Sequence, residues 1–156
     1  MDLVSIEQVM PGKDAVLSAL GAGSKGDVRA TGTRNIIKVM QKCGVQRLVC
    51  LSSLGVGDSR ENLNFFWKYI MFGLLLRRAF ADHVAQEHAI IESGLEWTIV
   101  RPGAYTDGDH TGVYRHGFSA TATGLKLKIS RADVADFMLN QLTDDSYIRM
   151  MPGISY

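Results

Sequence analysis

The chain has 156 residues, of which 46% are hydrophobic and 21% charged, and its formal net charge at pH 7 is +1. This length allows one domain with a buried core, and the ordinary composition excludes a disordered or low-complexity chain. The nearly neutral charge excludes a general attraction to nucleic acid or to an anionic membrane, so we expect neither as a partner.

The two cysteines, Cys43 and Cys50, have the spacing of neither a disulfide framework nor a zinc site, and we expect no metal. We expect Cys43 at the end of a helix and Cys50 in a buried strand, both as reduced thiols. Charged residues interrupt the amino-terminal region, unlike a signal peptide. The most apolar stretch, residues 65–76, is shorter than the roughly twenty residues that span a bilayer. These features predict a soluble, cytoplasmic protein.

The first half of the chain alternates between helix and strand patterns. Residues 5–8 have the form of a capping box, which predicts a short helix from Ile6 to the following Pro-Gly pair. Residues 14–20 form a compact apolar run closed by glycines, which is typical of a buried strand. Apolar residues at helical spacing then predict a helix that ends at Gly44. Residues 47–53 form the next apolar run and predict a parallel strand that is covered on both faces.

The second half continues the alternation. Residues 65–93 are predicted to be helical with a break near Gly73, and their apolar stretch at residues 65–76 is interpreted as core or as a contact between subunits. Residues 96–100 predict a third strand, and residues 105–123 are rich in glycine and threonine and predicted to be irregular.

The last predicted helix begins at Ser130, which caps it, with Asp133 at its third position. Residues 147–156 are predicted to add a short strand. Strands that alternate with helices indicate an α/β fold with a parallel sheet, here as one domain over residues 1–156. The buried stripe of the last helix is predicted to be Val134, Phe137, Met138 and Leu142.

Three segments follow predicted strands and meet at one edge of the sheet: residues 20–23, 52–55 and 101–104. Ligands of open parallel sheets bind at this edge, and glycines there let the backbone approach a ligand closely. Taken singly, the strand-end Ser53 also fits a hydroxyl that bonds to nearby backbone, and Arg101 is better explained as the structural partner of a carboxylate or a carbonyl. The joint pattern nevertheless predicts a small-molecule site.

Several stretches of the chain, spread from Asp2 to Tyr156, together form a specific family pattern. They are residues 14–21, 32–37, 44–49, 82–83, 92–102, 107, 111–114 and 129–137. On these residues the chain resembles an atypical short-chain dehydrogenase/reductase of the NAD(P)H-binding, NmrA-like group. Within that group it is most similar to biliverdin-IXβ reductase/flavin reductase-like proteins. The resemblance implies a Rossmann-like, three-layer α/β fold and an NAD(P)H-dependent oxidoreductase.

The resemblance also implies roles for individual residues. Ser53 matches the strand-end serine beside the nicotinamide and the substrate, and is the candidate catalytic residue. His83 matches a helix histidine that contacts the cofactor, which is NADPH or NADH in this group. The resemblance implies hydride transfer to a small acceptor such as a flavin or a quinone. Cofactor binding is further implied for Asp2, Leu3, Leu20, Gly21, Ser53, Pro102, Gly103, Ala104 and Tyr105.

The chain departs from the family pattern at three places. It begins after the glycine-rich turn that binds the cofactor's pyrophosphate, so we expect an N-terminally truncated fold, in which cofactor binding is weak or absent unless the remaining strand ends or a partner chain rebuild the site. Residues 74–93 contain neither the tyrosine nor the lysine of ordinary short-chain dehydrogenases. Ala104 stands where biliverdin-reducing relatives have a histidine, which argues against biliverdin as substrate.

Two consequences follow from the missing front of the fold. The strand at residues 14–20 is expected to leave an open, apolar sheet edge, which predicts self-association unless the amino-terminal helix covers it. Whether the short chain is catalytically active also stays open. The alternative is a non-catalytic nucleotide-binding or protein-interaction module derived from the reductase fold.

Overall fold

The structure is a computed structural model that describes residues 2–21, 23, 26 and 28–156. The described residues form four α-helices and seven strands. In order they are α1 (Leu3–Val9), β1 (Ala15–Ser18), α2 (Val28–Cys43), β2 (Arg47–Leu51), α3 (Arg77–Ile91), β3 (Glu96–Pro102), β4 (Ala104–Thr106), β5 (Arg115–His116), β6 (Lys128–Ser130), α4 (Arg131–Asn140) and β7 (Gly153–Ser155). Between β2 and α3 lie a 3-10 turn, Gly57–Asn62, and a π-helical segment, Phe66–Leu75; a second 3-10 turn is Asp145–Tyr147.

The main sheet has the strand order β1-β2-β3-β7-β5. The first four strands are parallel, and β5 pairs with β7 in the antiparallel sense. The strands β4 and β6 form a separate parallel pair. In β2, Leu48, Val49 and Cys50 have no exposed surface, as a central parallel strand covered on both faces requires. This confirms the expected α/β fold with a parallel sheet.

Two apolar cores lie on opposite faces of the sheet and give the fold its three layers. On one face, Leu48 and Cys50 pack against residues of α1, α2 and α3, among them Met40. On the other face, Val49 and Val100 pack against α4. The alternation follows from the two-residue period of a strand, which sends neighbouring side chains to opposite faces.

Side-chain caps place two helix starts earlier than the sequence pattern does. The first helix begins at Leu3 rather than Ile6, because the carboxylate of Asp2 accepts a hydrogen bond from the Ser5 amide at 3.3 Å. Helix α2 begins at Val28, well before its apolar stripe. Its amino-terminal amides are capped from another helix by Asp82, which a local sequence pattern does not show.

The predicted end of α2 and the cap of α4 are confirmed, whereas the prediction that residues 105–123 are irregular is wrong at β4 and β5. Gly44, with φ +74°, follows the last residue of α2, and the Ser130 hydroxyl accepts from the Asp133 amide at 3.0 Å. The prediction for Leu142 is wrong, because this residue lies beyond the end of α4 and is 39% exposed. Within the predicted turn at residues 21–23, Ala22 lies outside the described residues.

The predicted helix at residues 65–93 divides at Leu76, three residues beyond the predicted break. The amide of Leu76 donates to the Met71 carbonyl at 2.7 Å, which closes a wide π-type turn before α3 starts. The interpretation of the apolar stretch as core is wrong for one of its faces. Large side chains on that face are exposed: Phe65, Phe66, Tyr69, Leu74 and Leu75.

Strand β1 is the terminal strand of the main sheet and pairs only with β2 among the described residues. Leu17 on this strand is 38% exposed. Helix α1 contributes Ile6 to the core and packs against α2. Self-association through the β1 edge remains a prediction.

A buried ion pair connects α3 with the carboxyl ends of β2 and β3. Arg101 donates to both carboxylate oxygens of Glu87, from Nε at 3.0 Å and from Nη2 at 2.7 Å. The Ser52 hydroxyl donates to the same carboxylate at 2.6 Å, and Arg101 Nη1 reaches Asp58 at 2.6 Å. Burial alone would lower the pKa of Arg101, but the hydrogen bonds and charges of Glu87 and Asp58 outweigh it and raise that pKa.

We expect Arg101→Met to lower the free energy of unfolding by about 3 kcal/mol or more, because it leaves the buried Glu87 carboxylate without its counter-ion. The double variant Arg101→Met, Glu87→Met should lose less than this single variant, since no buried charge is left unpaired. Urea unfolding of the three proteins measures both effects. A single variant within about 1 kcal/mol of the wild type would contradict this account.

Candidate active site

A cavity of about 590 Å³ opens at the carboxyl ends of β1, β2 and β3. This is the edge at which open parallel sheets bind their ligands, and the volume lies within the range of about 300–1,000 Å³ for small-molecule sites. Its wall consists of strand ends, the π-helical segment, α3 and α4, and is mostly apolar.

Most of the predicted site residues lie on this cavity. From the strand ends and α3 these are Leu20, Gly21, Ser53, His83, Pro102, Gly103, Ala104 and Tyr105. The other two predicted residues lie elsewhere: Asp2 caps α1, and Leu3, the first residue of that helix, packs against the core. Their contact with the cofactor stays a prediction.

Ser53 follows β2 and is held in place by the neighbouring backbone. The amides on either side of it, from Ser52 and Leu54, donate to the carbonyls of Val100 and Pro102 at 2.8 and 2.9 Å. The Ser53 hydroxyl donates to the Leu54 carbonyl at 3.2 Å. Its oxygen keeps lone pairs that can accept a hydrogen bond from a group in the cavity.

His83 is a neutral hydrogen-bonding group at neutral pH. Burial and the nearby charge of Arg29 lower its pKa to about 4, against smaller upward effects of Gln86 and Asp82. Its Nδ1 lies 3.3 Å from Oε1 of Gln86, whose own amide nitrogen donates to Thr33 at 3.1 Å. The partner of Nδ1 is therefore an acceptor, which assigns the proton to Nδ1 and leaves Nε2 as an acceptor.

Gly103 lets two backbone segments meet below the cavity. Its amide donates to the Ile154 carbonyl at 3.0 Å, and the next amide, of Ala104, donates to the Leu127 carbonyl at 2.8 Å. A Cβ at Gly103 would lie 2.6 Å from the carbonyl carbon of Leu127, too close for any other residue without movement of the backbone.

The aromatic side of the cavity was not predicted from the sequence. It is formed by the inner face of the π-helical segment, with Trp67, Met71 and Phe72, and by Leu76. The ring centroids of Trp67 and Phe72 are 5.7 Å apart. The aromatic run was visible in the sequence, but only the tertiary fold turns these side chains toward the strand ends.

Two arginines of the cavity wall were also missed. Arg29 lies near the start of α2 and is 8% exposed. Arg131, at the start of α4, pairs with Asp107 and lies over the ring of Tyr105, 5.3 Å from its centroid. The contacts of Arg29 arise from chain segments that are distant in sequence, so no local motif indicates them.

Residues 2–21, 23, 26 and 28–156 contain no group of three or more His, Cys, Asp or Glu side chains that could hold a metal ion. Within the same residues, no helix has both the length and the apolar character needed to cross a membrane.

A family model described as NAD(P)H-binding matches residues 1–145. The chain belongs to this NAD(P)H-binding family. The expected family and cofactor class are thereby confirmed, and the cavity at the strand ends is the candidate cofactor and substrate site of an NAD(P)H-binding domain.

Solved structures show the same fold over nearly the whole chain. A short-chain dehydrogenase/reductase from Veillonella parvula DSM 2008 in complex with NADP matches with a TM-score of 0.75 and 18% identity, over 100% of this chain and 69% of that one. ChuY, an anaerobillin reductase from Escherichia coli O157:H7, matches with a TM-score of 0.74 and 23% identity, over 98% and 68%. A Rossmann-fold NAD(P)-binding family protein from Shigella flexneri matches with a TM-score of 0.67 and 28% identity, over 99% and 66%. The chain thus spans about two thirds of the length of these proteins.

The cavity residues fit part of a nicotinamide cofactor. The exposed Gly21 leaves backbone accessible after β1, His83 Nε2 can accept from a ribose hydroxyl, and the Ser53 oxygen can accept from a carboxamide N–H. Rotation of the Ser53 hydroxyl away from Leu54 would let it donate to a carbonyl instead. When bound, the cofactor supplies a hydride. The apolar and aromatic side chains around the cavity exclude water and can orient a flat acceptor beside it.

The lowered pKa of the partly buried His83 predicts a loss of stability in mild acid. Its pKa is about 4 in the folded chain and about 6.5 when unfolded, so the unfolded chain takes up the proton first as the pH falls below 6.5. Between pH 7 and pH 4.5 the wild type should lose about 2 kcal/mol more unfolding free energy than His83→Gln.

Urea unfolding at several pH values measures this difference, since the titration of all other groups is common to both proteins. Parallel pH profiles of the wild type and His83→Gln would show that His83 titrates normally in the folded chain.

Proposed function

We propose that this chain is an NAD(P)H-dependent oxidoreductase that transfers a hydride to a flat, easily reduced acceptor such as a flavin or a quinone. The observation that carries the proposal is the cavity itself. It joins the strand ends of an NAD(P)H-binding domain to the aromatic inner face of Phe66–Leu75.

The polar residues of the cavity suit hydride transfer that depends on orienting the two reactants rather than on a general acid. His83 is neutral and accepts at Nε2, so it suits a ribose hydroxyl better than the delivery of a proton at pH 7. Ser53 is the polar group at the end of β2, and we assign it contact with the carboxamide or the acceptor carbonyl. Acceptors that need little protonation at the moment of hydride transfer match such a site.

The free thiols fit a reducing compartment. Cys43 is exposed and Cys50 is buried in β2, and neither forms a disulfide. Burial raises the pKa of Cys50 to about 12, so this thiol stays protonated and unreactive. We therefore place the enzyme in the cytoplasm, where thiols remain reduced.

Calorimetric titration of the chain with NADPH and with NADH tests the cofactor site. We expect a dissociation constant of about micromolar order for one of them. Turnover is then measured as the oxidation of whichever of the two cofactors binds, with flavins and quinones as acceptors. No binding at millimolar cofactor would contradict the proposal and favour a non-catalytic interaction module.

Ser53→Ala should lower kcat/KM about tenfold, because one hydrogen bond to the bound molecules is lost. Ser53→Thr keeps the hydroxyl and is the matched control, with activity expected near that of the wild type. Unchanged kcat/KM in Ser53→Ala would show that the hydroxyl serves the backbone alone.

A further inference from the structure

Arg29 is a buried cation whose hydrogen-bonding capacity is not used by the described residues. Its Nε and Nη1 atoms are fully buried and have no hydrogen-bond acceptor within the described part of the chain. A guanidinium has five N–H donors, and burying them without acceptors is costly. Arg29 also lines the cavity at the strand ends.

The nearest carboxylate, that of Asp82, does not satisfy these donors. Its Oδ2 lies 3.6 Å from Arg29 Nη1, beyond hydrogen-bond distance. Both oxygens of Asp82 instead accept backbone amides at the start of α2, from Arg29 at 3.0 Å and from Ala30 at 2.9 Å. Asp82 therefore provides a counter-charge but leaves the guanidinium free to bond another acceptor.

The rest of the cavity favours an anion as that acceptor. Among its described lining residues there is a second cation, Arg131, and no Asp or Glu. The guanidinium also reaches the strand end, because Nη2 lies 3.5 Å from the position that a Cβ at Gly21 would take. An anionic group placed beside Gly21 therefore meets Nη2 of Arg29, the guanidinium nitrogen nearest to this strand end.

We propose that Arg29 is the anion-binding residue of this cavity and binds a phosphate or carboxylate group of the molecule that occupies it. Arginine pairs with both groups through parallel N–H···O bonds, and such pairs are strong where water is excluded. The anion belongs either to the cofactor's phosphates or to an acidic acceptor. The inference deepens the proposed function and rests on it for the identity of the ligand.

The first test is independent of turnover. Inorganic pyrophosphate should raise the melting temperature of the wild type and of Arg34→Met, and should not stabilise Arg29→Met. Arg34 is an exposed residue of the same helix and controls for the loss of one positive charge. Equal stabilisation of Arg29→Met and the wild type, or no stabilisation of either, would overturn the proposal.

The second test identifies the source of the anion. Dissociation constants are measured by calorimetry for NADPH, for FMN and for riboflavin, which is FMN without its phosphate. A rise of about tenfold or more for NADPH in Arg29→Met, with FMN unchanged, assigns the anion to the cofactor. The same rise for FMN alone, with riboflavin unaffected, assigns it to the acceptor. Equal constants for every ligand in folded Arg29→Met would show that Arg29 is only the counter-ion of Asp82.

Arg29→Lys covers the case in which Arg29→Met does not fold. Lysine keeps the charge beside Asp82 but lacks the fork, so binding of the anionic ligand should weaken about tenfold while the protein stays folded. Unchanged binding in this variant would overturn the proposal. A wild type that is stabilised by pyrophosphate through Arg29 but binds neither NADPH nor NADH would support the anion site and contradict the proposed oxidoreductase.

Discussion

The fork of hydrogen bonds between Arg101 and Glu87 is the interaction on which the site depends. It buries two opposite charges between α3 and the end of β3, and the Ser52 hydroxyl brings the end of β2 to the same carboxylate. Buried ion pairs of this kind add little net stability, but the loss of one partner is costly. Their benefit is a defined geometry, because the carboxylate accepts all three bonds in only one arrangement of the two strand ends and the helix.

The hydrogen bonds around Glu87 also explain why neighbouring residues have different roles. Ser52 turns inward to Glu87, while Ser53 turns toward the cavity. On α3, Asp82 caps another helix, His83 faces the cavity, and Glu87 anchors the strands. Helix α3 thereby fixes the start of α2, the position of the neutral His83 and the ends of β2 and β3. The rigidity of the site therefore comes from hydrogen bonds outside the cavity.

The cavity combines a rigid polar side with an apolar aromatic side. The strand ends are fixed by backbone hydrogen bonds, whereas Phe66–Leu75 contributes rings and aliphatic side chains that exclude water. Hydride transfer depends on distance and orientation more than on a strong acid, and a site of this kind supplies both. The guanidinium of Arg29 adds a positive charge to the wall of a mostly apolar cavity, where an anionic group of a ligand can be held.

The sequence by itself determined the main succession of strands and helices, the parallel sheet and the strand-end residues of the cavity. Apolar runs between glycines place β1, β2 and β3, and residues just after parallel strands, such as Gly21, Ser53 and Gly103, must meet at one edge of the sheet. The tertiary structure alone decided the early start of α2, the aromatic wall and the environment of Arg29. Each of these depends on contacts between distant segments, as when Asp82 caps Arg29 and Ala30. Local patterns record the periodicity of one element, whereas caps, buried charges and cavity walls arise only when separate elements pack together.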